Sequence, residues 1–181
     1  MGTIYKLTDR NMCTMETYKW ELGEWHETSG KGPLCGPGWL HCYTDPYLAV
    51  FLNPPHANLV DPRLYKGEGR GKRRDDHGLK CGYTQMRIIE EIPVPEPTRE
   101  QYIEFAIRCA MAVYSEPSFV EWANNWLDGT NRTAIAAAAI ANGRADYAAR
   151  SFADAAAVVA AYDAAYYAID LVAIAHQVME G

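Results

Sequence analysis

The chain has 181 residues, of which 49% are hydrophobic and 22% charged, with five Trp and twelve Tyr. That is enough chain to bury a core without disulfides, and it is too apolar and too aromatic for intrinsic disorder. A net charge of −6 and an isoelectric point near 5.3 argue against a general nucleic-acid binder and are compatible with a basic partner.

Cysteines stand at 13, 35, 42, 81 and 109, an odd number with no C-x-x-C pair. Free, mostly buried thiols in a reducing cytoplasm are expected from that scatter. The N-terminus lacks signal-peptide architecture, and Lys6 stands where a myristoylation signal needs Ser or Thr. Asp154, Asp163 and Asp170 interrupt the apolar C-terminal stretch, so no membrane span is expected.

In chain order, Thr3 to Leu7 alternates like a short strand. Tyr18, Trp20 and Leu22 share one face of a second, and 28–33 is a loop. Gly36-Pro37-Gly38 predicts a tight turn, since glycine admits positive φ and proline fixes φ near −65°. Trp39 to Tyr43 then reads as a buried strand, and Tyr47 to Leu52 as one or two helical turns after Asp45-Pro46. Asn53-Pro54-Pro55-His56 is expected to end that helix. Arg63 to Lys66 suggests a strand, and 67–78 a long polar loop carrying Arg70, Lys72, Arg73 and Arg74. Tyr83 to Ile92 is a further strand, and Ile92 to Pro97 a stiff extended connector.

Beyond the connector the pattern turns helical. Thr98 to Gln101 is a capping box, followed by Ile103, Ala106, Ile107 and Ala110 at helical spacing. A second helix starts at Ser115-Glu116-Pro117, carries Phe119, Trp122, Trp126 and Leu127 as its stripe, and stops at Gly129. Thr130 or Asn131 caps an Ala-rich third helix, interrupted near Asn142-Gly143, and Ser151 opens a long last helix to about Met179. The expected fold is α+β, with a small, mostly antiparallel sheet domain (1–95) followed by an Ala-rich helical domain (98–181). Helices so poor in large side chains suggest a homodimer seam through Val158, Tyr162, Ile169 and Val172, with packing onto the sheet domain as the alternative.

The residues that invite chemistry also have plainer readings. Cys35, His41 and Cys42 suggest zinc, but ligand spacing fails and structural thiols fit better. His41 and Cys42 point to opposite faces of a strand, so they do not form a nucleophilic pair, and no third group orients Cys35 with His41. The 70–74 cations lack any phosphate-loop pattern, and Asp75 and Asp76 partly neutralise them, so a solvated loop competes with an anion contact. Trp39 is expected to be structural first. No catalytic residue, cofactor or metal is assigned. Candidate binding residues are Trp39, His41, Tyr43, Arg70, Lys72, Arg73 and Arg74.

Two resemblances follow from motifs. Ile4 to Thr8, Gly36 through Phe51, and Ile88 to Glu91 together resemble mono-ADP-ribosyltransferases, although Lys6 replaces the His or Arg of their first strand. The resemblance implies an NAD-using enzyme, and Lys6 speaks against turnover. Trp20-Glu21-Leu22-Gly23, the run Leu34 to Tyr43, and Arg87 to Ile92, with an Ala-rich tail, resemble a small phage and prophage accessory domain. That likeness implies a non-enzymatic inhibitor of a host defence effector such as Cas9 or another nuclease, anti-CRISPR-like, acting in the host cytoplasm. Direct nucleic-acid binding is not expected. A structural or scaffolding phage protein is the remaining alternative.

Overall fold

The computed structural model describes residues 1–15, 17–132 and 168–181. Two compact units divide the chain, Met1–Glu96 and Pro97–Gly181, and the fold is α+β. The Ala-rich stretch, with the expected third helix, the opening of the last helix and the seam residues Val158 and Tyr162, lies outside the described residues, whereas Ile169 and Val172 lie within them.

The first unit is built on one long hairpin, β6 (Arg63–Asp75) and β7 (Cys81–Ile92). At its base β6 pairs antiparallel with β1 (Gly2–Thr8), from Gly2 opposite Gly69 to Thr8 opposite Arg63. On its other edge β7 carries β4 (His26–Glu27) and β5 (Leu40–Cys42). The ring is completed by a bridge in which Tyr5 and Tyr43 exchange two backbone hydrogen bonds of 2.9 Å. Four strands therefore run β1–β6–β7–β5 and back to β1. β2 (Cys13–Thr14) and β3 (Tyr18–Lys19) form a separate two-stranded piece.

Closing so few strands demands sharp curvature, and β6 supplies it with irregular register at Lys66/Gly67 and between Arg70 and Arg73. Two glycines make the curl possible through close approach. A Cβ on Gly67 would stand 2.2 Å from the Arg87 carbonyl oxygen, and one on Gly69 would strike the Tyr83 ring at 2.5 Å. Inside lie Ile4, Trp20, Leu40, Cys42, Tyr65, Cys81, Tyr83, Met86 and Ile88. Fully burying a large apolar side chain of this kind contributes roughly 1.5–3 kcal/mol.

The expected polar loop at 67–78 is thus mostly strand, and the turn shrinks to the few residues after Asp75, where Gly78 N–H donates to Asp75 Oδ1 at 2.7 Å. Trp20 leaves the face it was expected to share. It is buried, while Tyr18 and Leu22 are exposed, because the chain folds back after Lys19 to plug the ring. Asp45 caps α1 (Pro46–Phe51) by accepting from Tyr47 N and Leu48 N. Asn53 to His56 does not simply end that helix. It forms a further short one, α2 (Asn53–His56), whose prolines sit in the first turn, where no N–H is needed.

The second unit opens with α3 (Arg99–Val113), whose capping box has both bonds: Gln101 N to Thr98 Oγ1 at 3.2 Å and Thr98 N to Gln101 Oε1 at 2.9 Å. It packs with α4 (Pro117–Leu127) through Ile107, Phe119, Ala123 and Trp126. The end of the expected last helix is a separate element, α5 (Leu171–Glu180), because Ala168 has φ of 59° and Asp170 starts a new cap on Ala173 N. Gln101 Nε2 donates to Val178 O at 3.1 Å and ties α5 to α3.

Gly67→Ala is expected to destabilise the first unit by roughly 1–3 kcal/mol, because the methyl meets backbone rather than a movable side chain. Lys66→Ala, one residue away and exposed, is the control expected to stay within about 0.5 kcal/mol. Urea unfolding of both variants measures the difference.

Candidate functional site

The strands separate two sets of groups. β5 alternates cleanly, with Leu40 and Cys42 buried in the ring and His41 on the other side. Lys6 belongs to the inner set. It shares the inward parity of Ile4 and Thr8 on β1 and is only 8% exposed. Its Nζ donates to His41 O at 2.6 Å and stands 5.1 Å from the Trp20 ring centroid. Burial lowers this amine to about 8, against the opposing pull of Cys42 and Cys81 nearby.

Cys42 and Cys81 face each other directly across β5 and β7, with sulfurs 3.2 Å apart. The hydrogen bond from Cys42, together with Arg73 beside it, draws the Cys81 thiol below its ordinary value, while burial pushes Cys42 up. Cys109 is also buried, Cys13 is half-buried and Cys35 is exposed, so the expectation of buried thiols fails at Cys35. Its loop is an exposed turn.

At the rim, Tyr43 Oη and His56 Nδ1 are hydrogen-bonded at 3.0 Å, with the rings stacked at 5.8 Å. Burial, then Lys80 and His41, lowers His56 to about 4. Burial also lowers His41, whose Nε2 donates to Leu34 O. His41 is therefore engaged with the loop before it and not with Cys35.

The outer set is cationic and aromatic. The Arg70 guanidinium lies 3.8 Å from the Trp25 centroid and Arg87 lies 4.8 Å from the same ring. Arg70 Nε donates to Gln85 Oε1 at 2.6 Å, and Gln85 Nε2 to Glu27 Oε1 at 2.6 Å. Arg87 is held twice by Glu68 Oε2, at 2.9 and 2.7 Å. Arg74 stacks over Trp39 at 5.2 Å, and Arg73 pairs with Asp75 at 2.6 Å. Lys72 donates its backbone N–H to Thr84 Oγ1 at 3.0 Å. Arg70 to Asp75 is exposed throughout.

Trp39 itself is 5% exposed and donates Nε1–H to Gly32 O at 3.2 Å. Its ring is a buried platform for Arg74. The turn before it needs glycine for a different reason than positive φ: Gly36 and Gly38 both lack it, and a Cβ on Gly38 would stand 2.1 Å from Lys31 O.

Of the seven candidate residues, Arg70, Lys72, Arg73 and Arg74 share one exposed strand segment, with Trp39 under it. His41 and Tyr43 lie near α2 and Lys6. Trp25, Cys81 and His56 are not among the candidate binding residues read from the sequence, and Lys6 is read there only as a departure from the transferase pattern. Parity with Ile4 was the available signal for Lys6, whereas nothing local marks Trp25 as the ring that two arginines share. Among the described residues no group of three or more His, Cys, Asp or Glu is placed to hold a metal ion, and no helix is long and apolar enough to cross a membrane.

Residues 3–100 match the model of a family described as a domain of unknown function, DUF7666, a span that takes in more than half of the chain and nearly all of the first unit. No curated protein matches, and no solved structure matches.

Trp39→Ala is expected to cost roughly 3–5 kcal/mol in chemical denaturation. The two buried bases give a pH dependence of one sign. Both have folded values below their unfolded ones of 6.5 and 10.5, so the unfolded chain binds more protons inside each window and stability rises with pH. The His56 contribution is fully present above 6.5 and is lost toward 4, on the order of 2 kcal/mol given its partial exposure. The Lys6 contribution rises between about 8 and 10.5, on the order of 3 kcal/mol. Urea midpoints against pH for His56→Gln and Lys6→Met should each lose one of the two rises.

Proposed function

The chain belongs to the DUF7666 family, and from that premise we propose that its family domain is a non-enzymatic binding module that engages an acidic protein surface through Arg70, Lys72 and Arg74 on β6. The observation that carries this reading is the pair of arginines whose guanidinium groups lie over tryptophan rings, 3.8 and 5.2 Å from the centroids, at the exposed end of that strand. Among the described residues, Arg70, Lys72 and Arg74 have no carboxylate partner, unlike Arg73. Guanidinium groups already resting against indole rings lose less freedom on docking than free ones, and Arg and Trp are the side chains that dominate interface energies.

Charge distribution favours protein over nucleic acid. Residues 1–96 hold twelve Lys and Arg against thirteen Asp and Glu, and residues 97–181 hold five against ten. A chain negative overall is repelled at long range by a polyanion, so a local cationic patch suits short-range complementarity with an acidic surface. The enzymatic alternative finds less support. Lys6, which would have to grip a cofactor, is enclosed and bonded to His41 O, and Glu91 is paired with Arg63.

The test is capture on immobilised Asp/Glu-rich peptide, with single-stranded oligonucleotide alongside. The expected result is salt-sensitive retention on the peptide. Joint Arg70→Glu, Lys72→Glu and Arg74→Glu substitution should weaken it at least about tenfold, a loss near 1.4 kcal/mol, with an unchanged melting curve. Retention that survives charge reversal removes the proposal, and tighter retention on the oligonucleotide makes the patch a nucleic-acid surface. A Cas9-type effector, the partner implied by the phage resemblance, enters the same assay. Its basic channel would draw on the acidity concentrated in 97–181, so capture insensitive to the three substitutions would favour that partner and a different surface.

A further inference from the structure

Two facing thiols inside the ring, Cys42 and Cys81, have no part in that reading. We propose that Cys42 and Cys81 form a redox site, in which a hydroperoxide converts the facing thiols to an intramolecular disulfide that fastens β5 to β7. Three independent features carry this. The register places the residues directly opposite on antiparallel strands, where Cα atoms lie roughly 4.5–5.5 Å apart, within the span a disulfide bridges. The sulfurs are already 3.2 Å apart, so bonding requires them to close by only about 1 Å. Lys6 and Arg73 put positive charge beside the pair, which favours the thiolate that starts the reaction.

The chemistry balances with hydrogen peroxide as oxidant. The Cys81 thiolate attacks one peroxide oxygen, the O–O bond breaks, and hydroxide leaves and takes up a proton to become water. The resulting sulfenic acid at Cys81 is attacked by Cys42 sulfur. An S–S bond forms, the S–O bond breaks, and the hydroxyl departs with the Cys42 proton as a second water. Two thiols lose two electrons to one peroxide. A small oxidant is required, because both thiols are buried and a bulky disulfide would have to open the ring.

The consequence is local. β5 has three residues, and its backbone is joined to β1 only through the Tyr5–Tyr43 bridge that begins one residue after Cys42. A covalent tie at Cys42 would hold the shortest strand of the ring in place.

The experiment treats full-length protein with hydrogen peroxide, blocks residual thiols after denaturation, and maps peptides by mass. The expected result is a Cys42–Cys81 cross-linked peptide, a mass lower by two hydrogens, and a higher urea midpoint that returns to the starting value with a reducing agent. Cys42→Ser and Cys81→Ser, each checked for folding by its melting curve, should abolish both the cross-link and the midpoint shift. Should either variant fail to fold, Cys35→Ser serves in its place and should leave both unchanged. Alkylation of both Cys42 and Cys81 after peroxide has already oxidised exposed Cys35 overturns the proposal. So does a cross-link that uses Cys13, Cys35 or Cys109.

Discussion

The closure of the β6–β7 hairpin on itself is the constraint from which the rest of the first unit follows. A hairpin of this length is only marginally stable alone, and both of its edges would recruit other strands. Bending it until β1 and β5 meet at Tyr5 and Tyr43 creates an interior, and that interior decides which side of every strand is core. The bend is affordable only where side chains are missing, at Gly67 and Gly69. The same bend sets where coverage stops. β1 follows β6 no further than Gly69, so from Arg70 onward β6 is bonded on one side only. An exposed edge rich in arginine and lysine, with irregular register between Arg70 and Arg73, is a poor template for strand addition. Side chains, not backbone, are therefore what that segment offers to a partner.

Much of the framework was legible because hydrophobic periodicity and capping are local. β1, β5, β7, α3 and the stripe of α4 follow from alternation, from the capping box at Thr98 and from the Phe119–Trp126 spacing. β6 was not legible beyond Lys66. Its inward positions are glycines and its distal half is exposed on both faces, so no alternation of apolar and polar residues exists to read. Trp20 misled for the opposite reason. It sits in a clean alternation with Tyr18 and Leu22, yet the core it fills is made by distant strands. The cationic run was visible as composition. Its rigidity was not, because Trp25 and Trp39 lie far from Arg70 and Arg74 in the chain.

The buried lysine is the most instructive feature of the site, since at first sight an apolar ring should exclude it. An isolated ammonium in such a place is costly, and burial accordingly pulls Lys6 below its ordinary value. What offsets it is position. β5 is too short to hold β1 by a ladder, and its backbone contributes only the two bonds between Tyr5 and Tyr43. Lys6 Nζ reaches across the same seam to His41 O, two residues before Tyr43, and adds a third tie that is stronger for being charged. The Trp20 face and the two thiols supply the rest of the charge's surroundings. A methionine would fill the volume without the clasp. The lysine thus exchanges some stability at neutral pH for a β1–β5 seam that stays registered, on the opposite edge of β5 from the ladder that sets Cys42 across from Cys81.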